Sequence, residues 1–183
     1  FFLRACHSRW QLRELLVDFW HGHFSVYGPG DFIRSVFPDY DRVIRAEALG
    51  NFGRLLEATA THPAMLFYLD NAANSHPHVN ENYARELLEL HTMGGEHSDP
   101  YADSVPYDPT VNMNLLYTED DVKEVARVLT GWTVADGEHG KPDHGGRFLF
   151  HAPWHDTGAK TVLGHDLPAG REMPDGLDVL RIL

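Results

Sequence analysis

The segment Asn80-Glu81-Asn82-Tyr83-Ala84-Arg85-Glu86-Leu87-Leu88-Glu89-Leu90-His91-Thr92-Met93-Gly94 carries three glutamates, an arginine and a histidine on one short helix that must also bury an apolar face. With Tyr83 at zero and about 100° per residue, Leu90, Tyr83, Leu87, Ala84 and Leu88 form the apolar arc and His91 falls inside it, at about 80°. Glu86 and Glu81 flank the stripe, while Arg85 and Glu89 point away. An inward histidine rimmed by carboxylates can serve as a metal ligand, as an acid/base group, or as one partner in a buried hydrogen bond. The segment lacks the Glu-x-x-His spacing of carboxylate metal bundles, because Leu88 stands where that pattern needs Glu. It also lacks the His-Glu-x-x-His of zincins.

Three other places could carry chemistry. Trp20-His21-Gly22-His23-Phe24 resembles a chelating pair, but on a continuous helix residues two apart differ by about 200° and cannot face one ion. His23 falls inside the apolar arc of its helix; His21 falls outside and is read as a cap or solvent contact. Asp70 follows an apolar helix directly, where the helix dipole disfavours a negative charge, so it needs a compensating partner. His155 and Asp156 flank a predicted hairpin and form a candidate acid/base pair. His23, Asp70, Glu86 and His91 together are the candidate metal set, and imidazole plus carboxylate suits Zn, Fe or Mn. The competing reading makes the same residues a hydrogen-bonded core network.

The elements that must position these residues are mainly helical. A first helix is predicted over 9–20, started by Ser8 and Gln11 as a capping box and burying Leu12, Leu15, Leu16, Phe19 and Trp20. A second helical region covers 41–60, softened by Gly50 and Gly53. Residues 62–69 form a short buried helix with Pro63 at its first position. The glutamate-histidine helix closes at Gly94 or Gly95. Thr118 and Asp121 open a further helix whose inward residues are Val122, Val125, Ala126 and Leu129. Residues 135–146 read as loop, and 147–151 and 160–163 as two short strands of one hairpin. The expected fold is mainly α, a multi-helix, bundle-like domain with one small β-hairpin near the C-terminal part.

Composition sets outer bounds. A formal charge of −12 argues against a nucleic-acid partner, which asks for a basic patch. No apolar run reaches the length of a membrane span. The single cysteine, Cys6, gives neither an internal disulfide nor a thiolate metal framework. Thirteen histidines stand against fifteen lysines and arginines, so the net charge should approach zero as imidazoles titrate near about 6.5. The chain starts at Phe1 and ends inside a predicted helix over 175–183, so residues 1–183 are expected to be an internal fragment of one larger helical domain.

Several motifs together resemble a known family. Trp20-His21-Gly22-His23-Phe24, Ala48-Leu49-Gly50-Asn51-Phe52, His62-Pro63-Ala64-Met65-Leu66, Tyr68-Leu69-Asp70-Asn71 and the segment from Asn80 to Thr92 are similar to the bacterial domain-of-unknown-function family numbered 1800. Tyr117-Thr118-Glu119-Asp120-Asp121-Val122, Leu129-Thr130-Gly131-Trp132 and the stretch from His155 to Gly164 continue the likeness in the same order. The resemblance implies a larger bacterial protein, exported to the periplasm or cell surface, with an extracytoplasmic protein partner. It carries no catalytic assignment. Residues 96–116 depart from the family pattern as a probable insertion or long loop, between His91 and the Tyr117 motif. Two readings follow: an exported helical scaffold or binding module, and a metal-dependent hydrolase or oxidoreductase.

Overall fold

The computed structural model describes residues 2–27, 31–94, 117–138, 140, 141 and 143–183; the expected insertion over 96–116 lies outside them. Among the described residues eight α-helices run in the order α1 (Phe2–His7), α2 (Gln11–Phe24), α3 (Asp31–Glu47), α4 (Phe52–Ala60), α5 (Pro63–Tyr68), α6 (Asn82–Glu86), α7 (Glu119–Val128) and α8 (Met173–Ile182). A π-helical stretch, Leu87–Thr92, continues α6. Two antiparallel strand pairs sit in the C-terminal part, β1 (Trp132–Asp136) with β2 (Asp143–Phe150) and β3 (Lys160–Val162) with β4 (His165–Leu167). The molecule is mainly α, as the apolar periodicity predicts.

The core is built where helix starts are well specified. Thr118 Oγ1 accepts the Asp121 backbone N–H at 3.2 Å while Asp121 Oδ2 accepts from Thr118 N at 2.8 Å, a reciprocal cap. It starts α7 so that Val122, Val125, Ala126 and Leu129 are fully buried. His62 Nδ1 accepts the Ala64 N–H at 3.1 Å, and Pro63 opens α5. Ala64, Met65 and Leu66 of α5 then lie at the centre, in one hydrophobic cluster with Tyr40, Ile44, Leu55, Tyr83, Leu87 and Trp132.

Helix α2 is rotated from its predicted face: Leu16 and Trp20 pack against the core as expected, but the rest of the stripe does not. Leu12, Leu15 and Phe19 are 63 %, 66 % and 55 % exposed, whereas Glu14, Val17 and Phe24 are buried. Its polar residues find partners on α3: Arg45 Nη1 donates to Glu14 at 2.9 Å, and His21 Nε2 meets Asp41 at 3.1 Å, so His21 is neither a cap nor solvent-facing. Satisfied ion pairs let Glu14 and His21 face inward and leave Leu12 and Leu15 outside. The Ser8–Gln11 box does not form; Ser8 Oγ instead accepts from Trp10 N at 3.1 Å, and the helix begins later and runs through Gly22 to Phe24.

The second helical region is two helices. Asn51 Oδ1 accepts from Arg54 N at 3.2 Å and starts α4 anew, while α3 begins at Asp31 and carries Pro38 within it. The strands pair differently from the predicted hairpin. Residues 147–150 pair with Trp132–Ala135, and Lys160–Val162 pairs with His165–Leu167. Gly131 leads into β1 with φ +80°, and a Cβ there would lie 2.8 Å from the His151 carbonyl oxygen, so only glycine fits this approach.

Trp132 anchors β1 with no exposed surface, and α8 packs on it through Gly176. A Cβ at Gly176 would come within 2.1 Å of the indole. Helix propensity alone favours Gly176→Ala by about 1 kcal/mol, but the overlap must push α8 off Trp132. We expect a net loss of about 1–3 kcal/mol, read as a lower denaturant midpoint with an altered near-UV tryptophan signal. An unchanged midpoint would show that α8 is not seated on the indole.

Candidate functional site

The π-helical stretch places His91. Met93 N donates to Leu88 O at 2.8 Å, five residues back, and Thr92 Oγ1 donates to Leu87 O at 2.7 Å. A π-turn rotates each residue by less than the roughly 100° of an α-helix. Leu90, placed inside the apolar arc by α periodicity, is therefore exposed, while His91 is 3 % exposed. Its imidazole sits among the rings of Phe24, Tyr83 and His23, with centroids at 5.3, 6.3 and 6.4 Å. Burial first, then the neighbouring His23, pull its pKa down to about 4, against a hydrogen bond with the Phe24 backbone. The ring is therefore neutral at physiological pH.

His23 answers from the last turn of α2. Its Nε2 donates to the His91 carbonyl oxygen at 3.0 Å, which fixes Nε2 as the protonated nitrogen. The two histidines thus cross-tie the ends of two helices, each ring bonding the other segment's backbone. Helix ends leave carbonyls without intrahelical partners, and these rings supply them.

The other members of the candidate metal set lie apart from this pair. Glu86 is half-buried; burial first, then Glu89, raise its pKa, and it makes no hydrogen bond to His91. Asp70 is exposed, in the left-handed region at φ 60°, and lines a separate cleft with Phe67, Ser75, Asp136, Lys141 and Trp154. Among the described residues no three His, Cys, Asp or Glu side chains converge to hold an ion.

His155 and Asp156 are both buried and point to different partners. His155 Nδ1 donates to Thr130 O at 2.8 Å, and Nε2 lies 3.6 Å from Asp175 Oδ2, beyond hydrogen-bond length. Asp156 grips the Arg127 guanidinium in two bonds of 2.8 and 3.2 Å, and its pKa is held down to about 2 by that arginine. Lys160, fully enclosed, donates to Asp156 O, to Gly158 O at 3.0 Å and to Asp175 Oδ2 at 3.0 Å. Arg171 Nε lies 3.1 Å from Asp175 Oδ1, off the line of a hydrogen bond. This network ties α7, the β3–β4 pair and α8 together.

Sequence reasoning missed Arg127, Lys160, Arg171 and Asp175 as partners, and the asparagines of the Asp70 motif as well. Asn71 Nδ2 donates to Leu129 O and Trp132 O at 3.3 and 2.9 Å; Asn74 Nδ2 donates to Asn71 Oδ1 and Ala126 O, both at 3.0 Å. They satisfy the carbonyls at the end of α7. The only signal in the sequence was the unusual choice of two asparagines directly after a buried helix.

A family model described as protein of unknown function (DUF1800) matches residues 1–183. No curated protein and no solved structure matches the chain.

Proposed function

The chain belongs to the DUF1800 family of proteins of unknown function, and from that premise we propose that it works as a helical scaffold or binding module. The observation that carries this reading is the crossed bonding of His23 to the His91 carbonyl and of His91 to the Phe24 backbone, which commits a buried imidazole to holding helices together. Asp156, committed to Arg127, is used the same way. On this reading the module belongs to a larger bacterial protein and works in the periplasm or at the cell surface. The apolar stripe Leu12, Leu15 and Phe19, exposed beside Trp20 and Phe52, is the kind of surface a protein partner covers. No helix among the described residues is long and apolar enough to cross a membrane.

A second reading, a metal-dependent hydrolase or oxidoreductase using Zn, Fe or Mn with His155 and Asp156 as acid/base residues, is favoured by one feature. π-turns recur at functional sites, and this one holds a neutral histidine, the form that ligates metals. Elemental analysis decides between the readings. The chain, purified without chelator or His tag, is compared with His91→Ala. The scaffold reading expects no stoichiometric transition metal in either protein and a less stable variant. A stoichiometric metal lost in His91→Ala would overturn it.

A further inference from the structure

The cleft that Asp70 lines is separate from the His23–His91 pair and from the Lys160–Asp175 network, and neither reading above uses it. Its volume is about 410 Å³, within the range of small-ligand sites. Two aromatic side chains, Phe67 and Trp154, form part of its wall, with Ala72 and Ala73 from the turn that follows Asp70.

Its charge is unbalanced. Lys141 is buried, donates to Asp136 Oδ2 at 3.0 Å and to Thr133 Oγ1 at 3.3 Å, and rests over the Trp154 ring at 5.2 Å. That ammonium is neutralised by Asp136. The lining holds three acids, Asp70, Asp136 and Glu138, against that one lysine. The Asp70 carboxylate makes no hydrogen bond or ion pair among the described residues. Its backbone is firmly placed: the neighbour Asn71 is fully buried and bonded to the backbone of Leu129 and Trp132. A carboxylate carried on fixed backbone, lining the same cleft as two aromatic side chains, suits a cation carried on an apolar body, since both carboxylate and ring faces attract positive charge.

We propose that this cleft, built from Asp70, Phe67, Ser75, Glu138, Lys141 and Trp154, binds a small organic cation, a protonated amine on a flat apolar body. The carboxylate of Asp70 receives the ammonium and the aromatic wall receives the body. The inference goes beyond the scaffold reading and does not depend on what His91 does.

The test titrates 2-phenylethylamine and its neutral counterpart 2-phenylethanol into the isotopically labelled chain, followed by NMR shifts and calorimetry. The amine is expected to bind at least about tenfold more tightly than the alcohol, with shifts at the Trp154 indole and the Asp70 amide. Asp70→Asn keeps the left-handed backbone, which asparagine tolerates, and removes only the charge; it should abolish the preference without moving the thermal midpoint. Equal binding of both probes, no shifts at these residues up to about 10 mM amine, or a preference that survives Asp70→Asn would overturn the proposal. The comparison of the two probes on the unsubstituted chain stands even if the variant fails to fold.

Discussion

Lys160→Met is expected to lower the unfolding free energy by about 3–5 kcal/mol, the range for removing one partner of a buried ion pair. The lysine side chain has no exposed surface and Asp175 almost none. Deleting the ammonium leaves the Asp175 carboxylate enclosed with Arg171 and His155, and strands the carbonyls of Asp156 and Gly158 that Lys160 bonds. A buried carboxylate that loses its hydrogen-bonded ammonium and carbonyls left without a donor act in the same direction. The pair itself need not be strongly stabilising, because desolvation offsets much of its attraction. The double variant Lys160→Met with Asp175→Leu should therefore recover much of the loss, giving a positive coupling in a double-mutant cycle. Urea unfolding of the four proteins measures it. A cost below about 1 kcal/mol for Lys160→Met would show the pair to be solvent-screened and the α7–β3–α8 junction to be held by apolar contacts alone.

That junction marks where the sequence stops being legible. Thr118 with Asp121, Pro63 after His62, and the spacing of Val122, Val125, Ala126 and Leu129 are local patterns, and the structure realises each of them. Partners far apart in the chain leave no such pattern: Lys160 and Asp175, or Asn71 and Trp132, meet only once the helices have packed. Periodicity also reports that a helix has two faces without saying which is turned inward. In α2, Glu14 and His21 turned in because Arg45 and Asp41 of α3 were waiting for them. Strand β1 was invisible for another reason. Trp132, Thr133, Val134 and Ala135 are all buried, so the alternation that betrays a half-exposed strand is missing. At the candidate site, the inward aim of His91 was readable. The π-turn that delivers it, and pushes Leu90 out, was not, because a 100° wheel assumes the α geometry that this segment abandons.

Acidification from pH 7 to 4 is expected to remove about 3 kcal/mol of stability through His91 alone. Its pKa is about 4 in the folded chain and about 6.5 when unfolded. Between those values the unfolded chain binds a proton that the folded chain refuses, so stability rises with pH across this window and is lost as pH falls through it. Below about 4 both states are protonated and His91 adds no further slope. Other groups titrate as well: His62, also lowered by burial, contributes in the same direction, and the lowered carboxylates of Asp41, Asp121 and Asp156 begin to matter only as pH drops toward 4 and below. Subtraction isolates His91. The difference in unfolding free energy between the chain and His91→Gln should shrink steadily from pH 7 to pH 4.5, because the variant has no imidazole to protonate. His23, the neighbour that helps depress His91, is kept in both proteins. A constant difference across the window would mean that His91 is hydrated and titrates normally, and would remove the cross-tie that supports the scaffold reading. Repeating the series with EDTA separates the two functional readings on the same curves. A buried, neutral, backbone-bonded histidine is indifferent to chelation, whereas a metal ligand loses its pH dependence and its stability together when the ion is taken away.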